Sequence, residues 1–214
     1  MGETGLNREQ LISALQDQVS DRVVDAMASV PRELFVPEDL AYAAYDDRPL
    51  PIGGGQTISA PHMVAIMCDL LDIREGMTVL EVGAGFGYHA AVMAHLTGPA
   101  GHVYTVERLP ELAAQARVNL ARAGLANVTV VVGDGSLGLP QHAPYDRISV
   151  AASAPSIPEP LKEQLATHGR LVIPVGSYSQ DLLLVTRQNG SFRIDRHMGV
   201  VFVPLIGEHG FMGQ

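Results

Sequence analysis

The densest chemical pattern in the chain is Glu81-Val82-Gly83-Ala84-Gly85-Phe86-Gly87. A short apolar run, Thr78-Val79-Leu80-Glu81-Val82, leads into it, and a segment carrying Ala90, Ala91, Met93 and Ala94 leaves it. Glycine at 83, 85 and 87 permits positive φ and lets a ligand approach the backbone closely at the C-terminal edge of a sheet. A turn of this kind alone also fits a tight strand-to-helix connection that binds nothing. Two further acids occupy comparable places: Glu107 closes a predicted strand at 102–107, and Gly133-Asp134-Gly135 follows one at 128–132. A carboxylate at 107 can accept from both hydroxyls of a ribose, and Asp134 beside Gly135 is placed to meet an adenine amino group. Each acid taken alone also fits a solvated strand end. Three acids ending three successive strands point to a nucleoside cofactor.

Two cofactors compete for that turn. A dinucleotide motif, G-x-G-x-x-G, needs a third glycine where the helix N-terminus receives the pyrophosphate, and Tyr88 stands there instead. Glu81, two residues before the first glycine, is an awkward neighbour for a phosphate. S-adenosylmethionine has no phosphate and carries an ammonium and a sulfonium, charges that an acid at the strand end suits. The joint pattern favours S-adenosylmethionine over a dinucleotide.

The elements that must position these residues follow from periodicity. Asn7 and Gln10 have capping-box spacing ahead of Leu11, Ile12, Leu15 and Val19, and Ser20 can cap a second helix that stops before Pro31. Residues 45–57, with Pro49, Pro51 and Gly53-Gly54-Gly55, read as a long irregular loop. Pro61 suits the first turn of a helix through Leu71. From residue 77 onward strands and helices alternate: strands at 78–82, 102–107, 128–132, 145–150 and 170–175, with a helix carrying Ala90, Ala91, Met93 and Ala94 and further helices near 109–123 and 157–168. This succession calls for a parallel sheet with helices on both faces. Strands at 182–186, 192–194 and 200–205 then read as antiparallel edge strands.

Composition sets bounds. With 47% hydrophobic and 17% charged residues the chain can bury a sizeable core. A formal charge of −9 argues against a nucleic-acid partner, which needs a basic surface. The single cysteine, Cys68, excludes an internal disulfide and a cysteine zinc cluster and reads as a core residue. The histidines are scattered and suggest no metal site. The first residues lack signal-peptide character, and no apolar run approaches the ~20 residues of a membrane span, so a cytoplasmic protein is expected.

The sequence resembles the protein-L-isoaspartate O-methyltransferase family along nearly its whole length. Val30-Pro31-Arg32-Glu33-Leu34-Phe35-Val36-Pro37 looks like the family's N-terminal signature, and Gln56-Thr57-Ile58-Ser59-Ala60-Pro61-His62-Met63 like its most specific block. Residues 80–87 with the glycine turn, Gly133-Asp134-Gly135, residues 151–158, residues 169–176 and Phe202-Val203-Pro204-Leu205 follow in order. The resemblance implies a Rossmann-like, doubly wound, mostly parallel seven-stranded sheet in one domain spanning 1–214. Within it, 1–75 would form a helical and substrate-loop extension, 76–175 the cofactor core and 176–214 the C-terminal strands. It implies methyl transfer from S-adenosylmethionine to the free α-carboxylate of L-isoaspartyl, and by extension D-aspartyl, residues in damaged proteins and peptides; a monomer is expected.

By the same resemblance Ser59 is the active-site serine, and Ile58, Ser59, Ala60 and Pro61 close over cofactor and substrate. Glu81, Val82, Gly83, Gly85, Glu107, Asp134 and Gly135 would hold the cofactor; Ser59, His62, Ala151 and Val203 would meet the substrate. One departure is Val64, where some members have a histidine, so contacts attributed to that histidine do not transfer. Ser59 also has a plain alternative as a helix-cap residue before Pro61, and His62 as a surface helix residue. The glycines at 53–55 suit a lid hinge. The tail beyond Leu205 carries no assigned contact.

Overall fold

The computed structural model describes residues 6–213; the opening residues read above for a leader, and Gln214, lie outside the described residues. Helices α1 (Arg8–Leu15) and α2 (Asp21–Ser29) come first. The expected capping box closes on α1, with Asn7 and Gln10 each taking the other's backbone N–H. Ser20 is the N-cap of α2, but its hydroxyl caps nothing; its N–H donates to Asp69 at 3.0 Å. Two 3-10 turns follow, Arg32–Phe35 and Glu38–Ala43.

Residues 45–57, expected to be irregular, contain a hairpin. Strand β1 (Leu50–Gly53) pairs antiparallel with β2 (Gln56–Ile58). Gly54 and Gly55 supply the positive φ at both central positions that so tight a turn requires. Leu50 and Ile52 point inward and anchor it, so two prolines in a loop-like composition conceal an ordered element. Helix α3 (Pro61–Leu71) begins with proline at its first turn, as expected.

The main sheet has seven strands: β3 (Thr78–Val82), β4 (His102–Glu107), β5 (Val128–Val132), β6 (Tyr145–Val150), β7 (Leu165–Gly176), β8 (Gln180–Gln188) and β9 (Ser191–Val200). Their order is β5-β4-β3-β6-β7-β8-β9. Pairings from β5 through β7 are parallel, and β8 and β9 add antiparallel at the edge. The expected fold class is what is observed. Helices α4 (Tyr88–Thr97) and α5 (Pro110–Arg122) link β3 to β4 and β4 to β5.

Two expectations at the C-terminal end are corrected. The helix placed at 157–168 is only α6 (Glu159–Glu163), and the chain is already in β7 by Leu165, which pairs with Tyr145. Leu161 and Leu165 have helical spacing, yet one is buried from a helix and the other from a strand. An irregularity at His168, whose φ is +63°, lets one strand span what looked like a helix end and a separate strand. At the edge, β9 runs unbroken from 191 to 200, joined to β8 through the Asn189-Gly190 turn. Residues 201–205 leave the sheet, and Pro204 bridges to Ser153 instead. As an edge strand β9 is mostly exposed, so no alternation marks its length in the sequence.

Strand periodicity divides the core in two. Val79, Val103 and Val172 pack beneath the side bearing α1 to α5, while Leu80, Val82, Val106, Ile148 and Val150 face the side bearing α6. Because side chains alternate, Glu81 shares the face of Val79, under α4. Its register partners Thr105 on β4 and Ser149 on β6 lie level with it on that face, and all three are fully buried.

Candidate functional site

The chain leaves β3 at the point where the strand order reverses, the usual ligand crevice of an open parallel sheet. Gly83, Gly85 and Gly87 all have positive φ there, so the turn folds tightly above the strand ends. Glu107, at the end of β4, is 7% exposed and reaches across to it. One carboxylate oxygen accepts from Gly85 N–H and the other from Leu109 N–H, each at 2.9 Å. Each oxygen keeps a further lone pair. The cleft above is about 840 Å3 and is lined by Val82, Gly83, Gly85, Glu107, Leu109 and Gly135, among others. A carboxylate fixed by two backbone donors and open to the cleft suits ribose hydroxyls and opposes a phosphate, so the residues present fit S-adenosylmethionine.

The hairpin lies over this cleft. A Cβ built on Gly54 would come within 2.8 Å of the Leu109 side chain, and one on Gly85 within 3.0 Å of Ile52. From β2 the chain passes through Ile58, Ser59 and Ala60 into α3. Ile58 lines the cofactor cleft and Ala60 a second, open groove of about 1210 Å3. Thr57, Ser59, Ala151 and Val203 line both, so the two spaces meet at Ser59. The N-cap of α3 is Ala60, without a side-chain cap, and among the described residues the Ser59 hydroxyl makes no hydrogen bond. The capping alternative for Ser59 therefore falls away. His62 lines the groove, and both its N–H and its Nδ1 lie 2.9 Å from one oxygen of Asp47, which fixes the ring. Pro61 is buried at the start of α3 and lines neither space.

Two of the expected cofactor acids are turned elsewhere. Glu81 is fully buried on the α4 face and does not line the cleft. Burial pushes its carboxyl up to about 8, offset in part by the hydrogen bond from the Thr105 hydroxyl and reinforced by Glu107. His89 Nδ1 lies 3.6 Å from Glu81, and burial depresses that imidazole to about 4. Burial works against both charges, so near neutral pH this is a neutral contact and not an ion pair. Asp134 accepts from Ser136 N–H and hydroxyl on one oxygen and from Glu208 N–H on the other. Burial raises the Asp134 carboxyl, but these hydrogen bonds outweigh it and hold the group below the usual range. Asp134 thus ties down the C-terminal tail, and Gly135 alone of that motif lines the cleft.

The family model for protein-L-isoaspartate(D-aspartate) O-methyltransferase matches residues 6–210. The chain belongs to this family. A protein-L-isoaspartate O-methyltransferase of Methanothrix thermoacetophila is 69% identical, over 96% of this chain and 98% of its own. One of Methanococcoides burtonii is 60% identical, over 94% of this chain and 100% of its own. Among solved structures, a protein-L-isoaspartate O-methyltransferase superposes with a TM-score of 0.87 at 32% identity, over 95% of this chain and 67% of that one. A second, from Plasmodium falciparum in complex with S-adenosyl-L-homocysteine, gives 0.84 at 30%, over 94% and 99%.

Three contributors to this family member's site escape the sequence reading. Leu205 and Ile206 line the cofactor cleft, because Ser153 takes Leu205 N–H and gives its own N–H to Val203, both at 2.8 Å. Gln180 clips the groove wall, donating to Phe202 C=O at 3.0 Å and accepting its N–H at 2.6 Å. Arg32, inside the N-terminal signature, reaches the carbonyl of Ser59. Glycines at 207 and 210 in the tail were the available signal, since a side chain at either would collide with Asp134 or Leu205.

Proposed function

We propose that this chain methylates the free α-carboxylate of L-isoaspartyl residues in damaged proteins and peptides, and extends to D-aspartyl residues, as one domain acting as a monomer. The observation that carries this reading is the meeting of the cofactor cleft and an open groove at Ser59, whose hydroxyl has no hydrogen-bond partner among the described residues. Family membership supplies the reaction class. When bound, S-adenosylmethionine supplies a methyl group activated on a cationic sulfur.

Glu107 holds the ribose, Gly83 and Gly85 admit the ligand to the backbone, and Gly135 borders the adenine end. Ile58 and the hairpin tip over Leu109 exclude water from the cleft. An acceptor carboxylate, with a reference pKa of ~4, is already ionised at neutral pH, so no general base is required. The two imidazoles nearby agree: His89 is held neutral by burial and His62 is tied to Asp47. Ser59 donates to one oxygen of the acceptor and leaves the other aimed at the methyl. Ala151, Val203 and His62 bound the peptide on either side. Rate acceleration then comes from alignment and from a dry site in which two opposite charges neutralise. The methyl ester then cyclises by the substrate's own chemistry: the backbone nitrogen of the following residue attacks the ester carbonyl and methanol leaves, giving a succinimide whose hydrolysis restores some aspartate.

The chain's negative charge favours no nucleic-acid partner, and no described helix is long and apolar enough to cross a membrane; we place its action in the cytoplasm. The decisive experiment compares methyl transfer to matched peptides containing isoaspartyl, D-aspartyl and aspartyl residues. Strong labelling of the first and little of the aspartyl peptide is expected. Equal labelling of isoaspartyl and aspartyl peptides, or labelling of neither, would overturn the substrate assignment.

A further inference from the structure

Arg32 is a fully buried guanidinium to which no carboxylate among the described residues forms an ion pair. Its Nε donates to Ala44 C=O and its Nη2 to Ser59 C=O, each at 2.8 Å. Its guanidinium carbon lies 4.6 Å from the centre of the Tyr88 ring, and Nη1 has no partner among the described residues. One side chain thus joins three separate segments: the approach to the hairpin, the loop carrying Ser59, and the first residue of α4 after the glycine turn. Packing does not explain this choice, since an apolar residue of similar volume fills such a space without burying a charge. The aromatic face and two carbonyls compensate the cation only partly. Buried, incompletely compensated charge concentrates where a site uses it.

Position says what the charge faces. The Ser59 carbonyl points at Arg32, and the Ser59–Ala60 peptide is trans, so the Ala60 N–H points away from Arg32. Ala60 lines the open groove. The plane of the peptide that presents Ser59 is therefore set by Arg32. The incoming group is an anion on a chain of net charge −9, and Asp47, which holds His62 beside the groove, adds a local negative charge.

We propose that Arg32 is the positioning residue for the methyl acceptor: it locks the Ser59 loop against the cofactor-side helix and sets a buried positive charge behind the point where the acceptor carboxylate binds. The proposal rests on the reading of Ser59 as the acceptor site. Because the guanidinium touches neither cleft, it acts through Ser59 and through its field.

The test measures kcat and KM for an isoaspartyl peptide, with cofactor affinity by calorimetry and thermal melting, in the full chain and in Arg32→Gln and Arg32→Lys. Wild-type preference for isoaspartyl over aspartyl peptide checks the substrate reading separately; its loss sinks that reading before any variant is considered. With it intact, Arg32→Gln is expected to lower peptide kcat/KM by about 30-fold or more while the cofactor Kd stays within about threefold. Arg32→Lys keeps the charge but lacks the planar fork that serves Ala44 and Ser59 from two separate nitrogens, so it should bring KM back to within about threefold of wild type and leave kcat depressed. A folded variant with unchanged peptide kinetics overturns the proposal. So does a loss of turnover matched by an equal loss of cofactor affinity, which marks a merely structural role. If Arg32→Gln does not fold, the Lys variant decides alone by whether kcat falls while KM and cofactor Kd hold.

Discussion

The cofactor half and the acceptor half of this site are built in different ways. In the cofactor half, backbone does the placing. Parallel register sets Glu81, Thr105 and Ser149 in one row, and two N–H groups grip the Glu107 carboxylate. In the acceptor half, single side chains reach across the chain to hold irregular backbone. Arg32 ties Ser59, Asp47 ties His62, and Gln180 ties Phe202. A sheet shares its burden over many bonds, whereas each of these ties is one residue deep. Single substitutions should therefore separate cofactor binding from acceptor binding.

The largest separation is expected at Glu107. On the proposed ribose role, Glu107→Ala would remove two contacts made by a charged group, each worth roughly 1.5–3 kcal/mol, and it also frees Gly85 and Leu109. Cofactor affinity should fall by about 100-fold or more by calorimetry; an unchanged Kd would break the assignment of the ribose to this carboxylate. Ser59→Ala is the complementary case. If Ser59 donates to the acceptor as proposed, the change removes one charge-assisted hydrogen bond, and kcat for isoaspartyl peptide should drop by about 10- to 100-fold. Cofactor Kd and melting temperature should barely move, because the Ser59 hydroxyl bonds nothing else among the described residues and does not cap α3. Unaltered turnover would remove Ser59 from the acceptor site.

The same contrast explains what the sequence disclosed. Elements whose residues repeat with one period, such as β3, β4 and α5, stand where periodicity puts them, because burial on one or both faces leaves a pattern. The glycine turn and Glu107 follow from those elements. The hairpin at 50–58 was hidden because its prolines and glycines have the composition of a loop, although Leu50 and Ile52 anchor it. Glu81 was read as a strand-end acid, but it sits one residue inside the end, where alternation turns it under α4. Asp134 was assigned to the adenine because nothing in local sequence reveals that Glu208 returns to it from the far end of the chain. Long-range ties leave no periodic trace, and the acceptor half, held by such ties as Arg32 to Ser59 and Gln180 to Phe202, was legible only through its motif block.

The smallest expected effect lies in the cofactor half and reads its buried acid. The folded Glu81 carboxyl sits at about 8, above its ordinary 4.5, because burial disfavours the charged form. The folded protein therefore binds that proton more tightly than the unfolded chain. The resulting stabilisation is complete below about 4.5 and is lost as pH rises through about 8. His89 runs the other way: depressed from 6.5 to about 4, it favours folding above 6.5 and loses that contribution as pH falls through 4. The two oppose each other between about 4.5 and 6.5, so Glu81 is read cleanly only from 6.5 to 8. Over that window ligand-free protein should lose on the order of 1 kcal/mol per pH unit, or about 2–4 °C in melting temperature. Glu81→Gln, which keeps the shape without a titrating proton, should flatten the slope. Parallel melting profiles for the two proteins would mean that Glu81 is already ionised beneath α4, with His89 as its charged partner, and the cofactor half would then be held by a buried ion pair as well as by register.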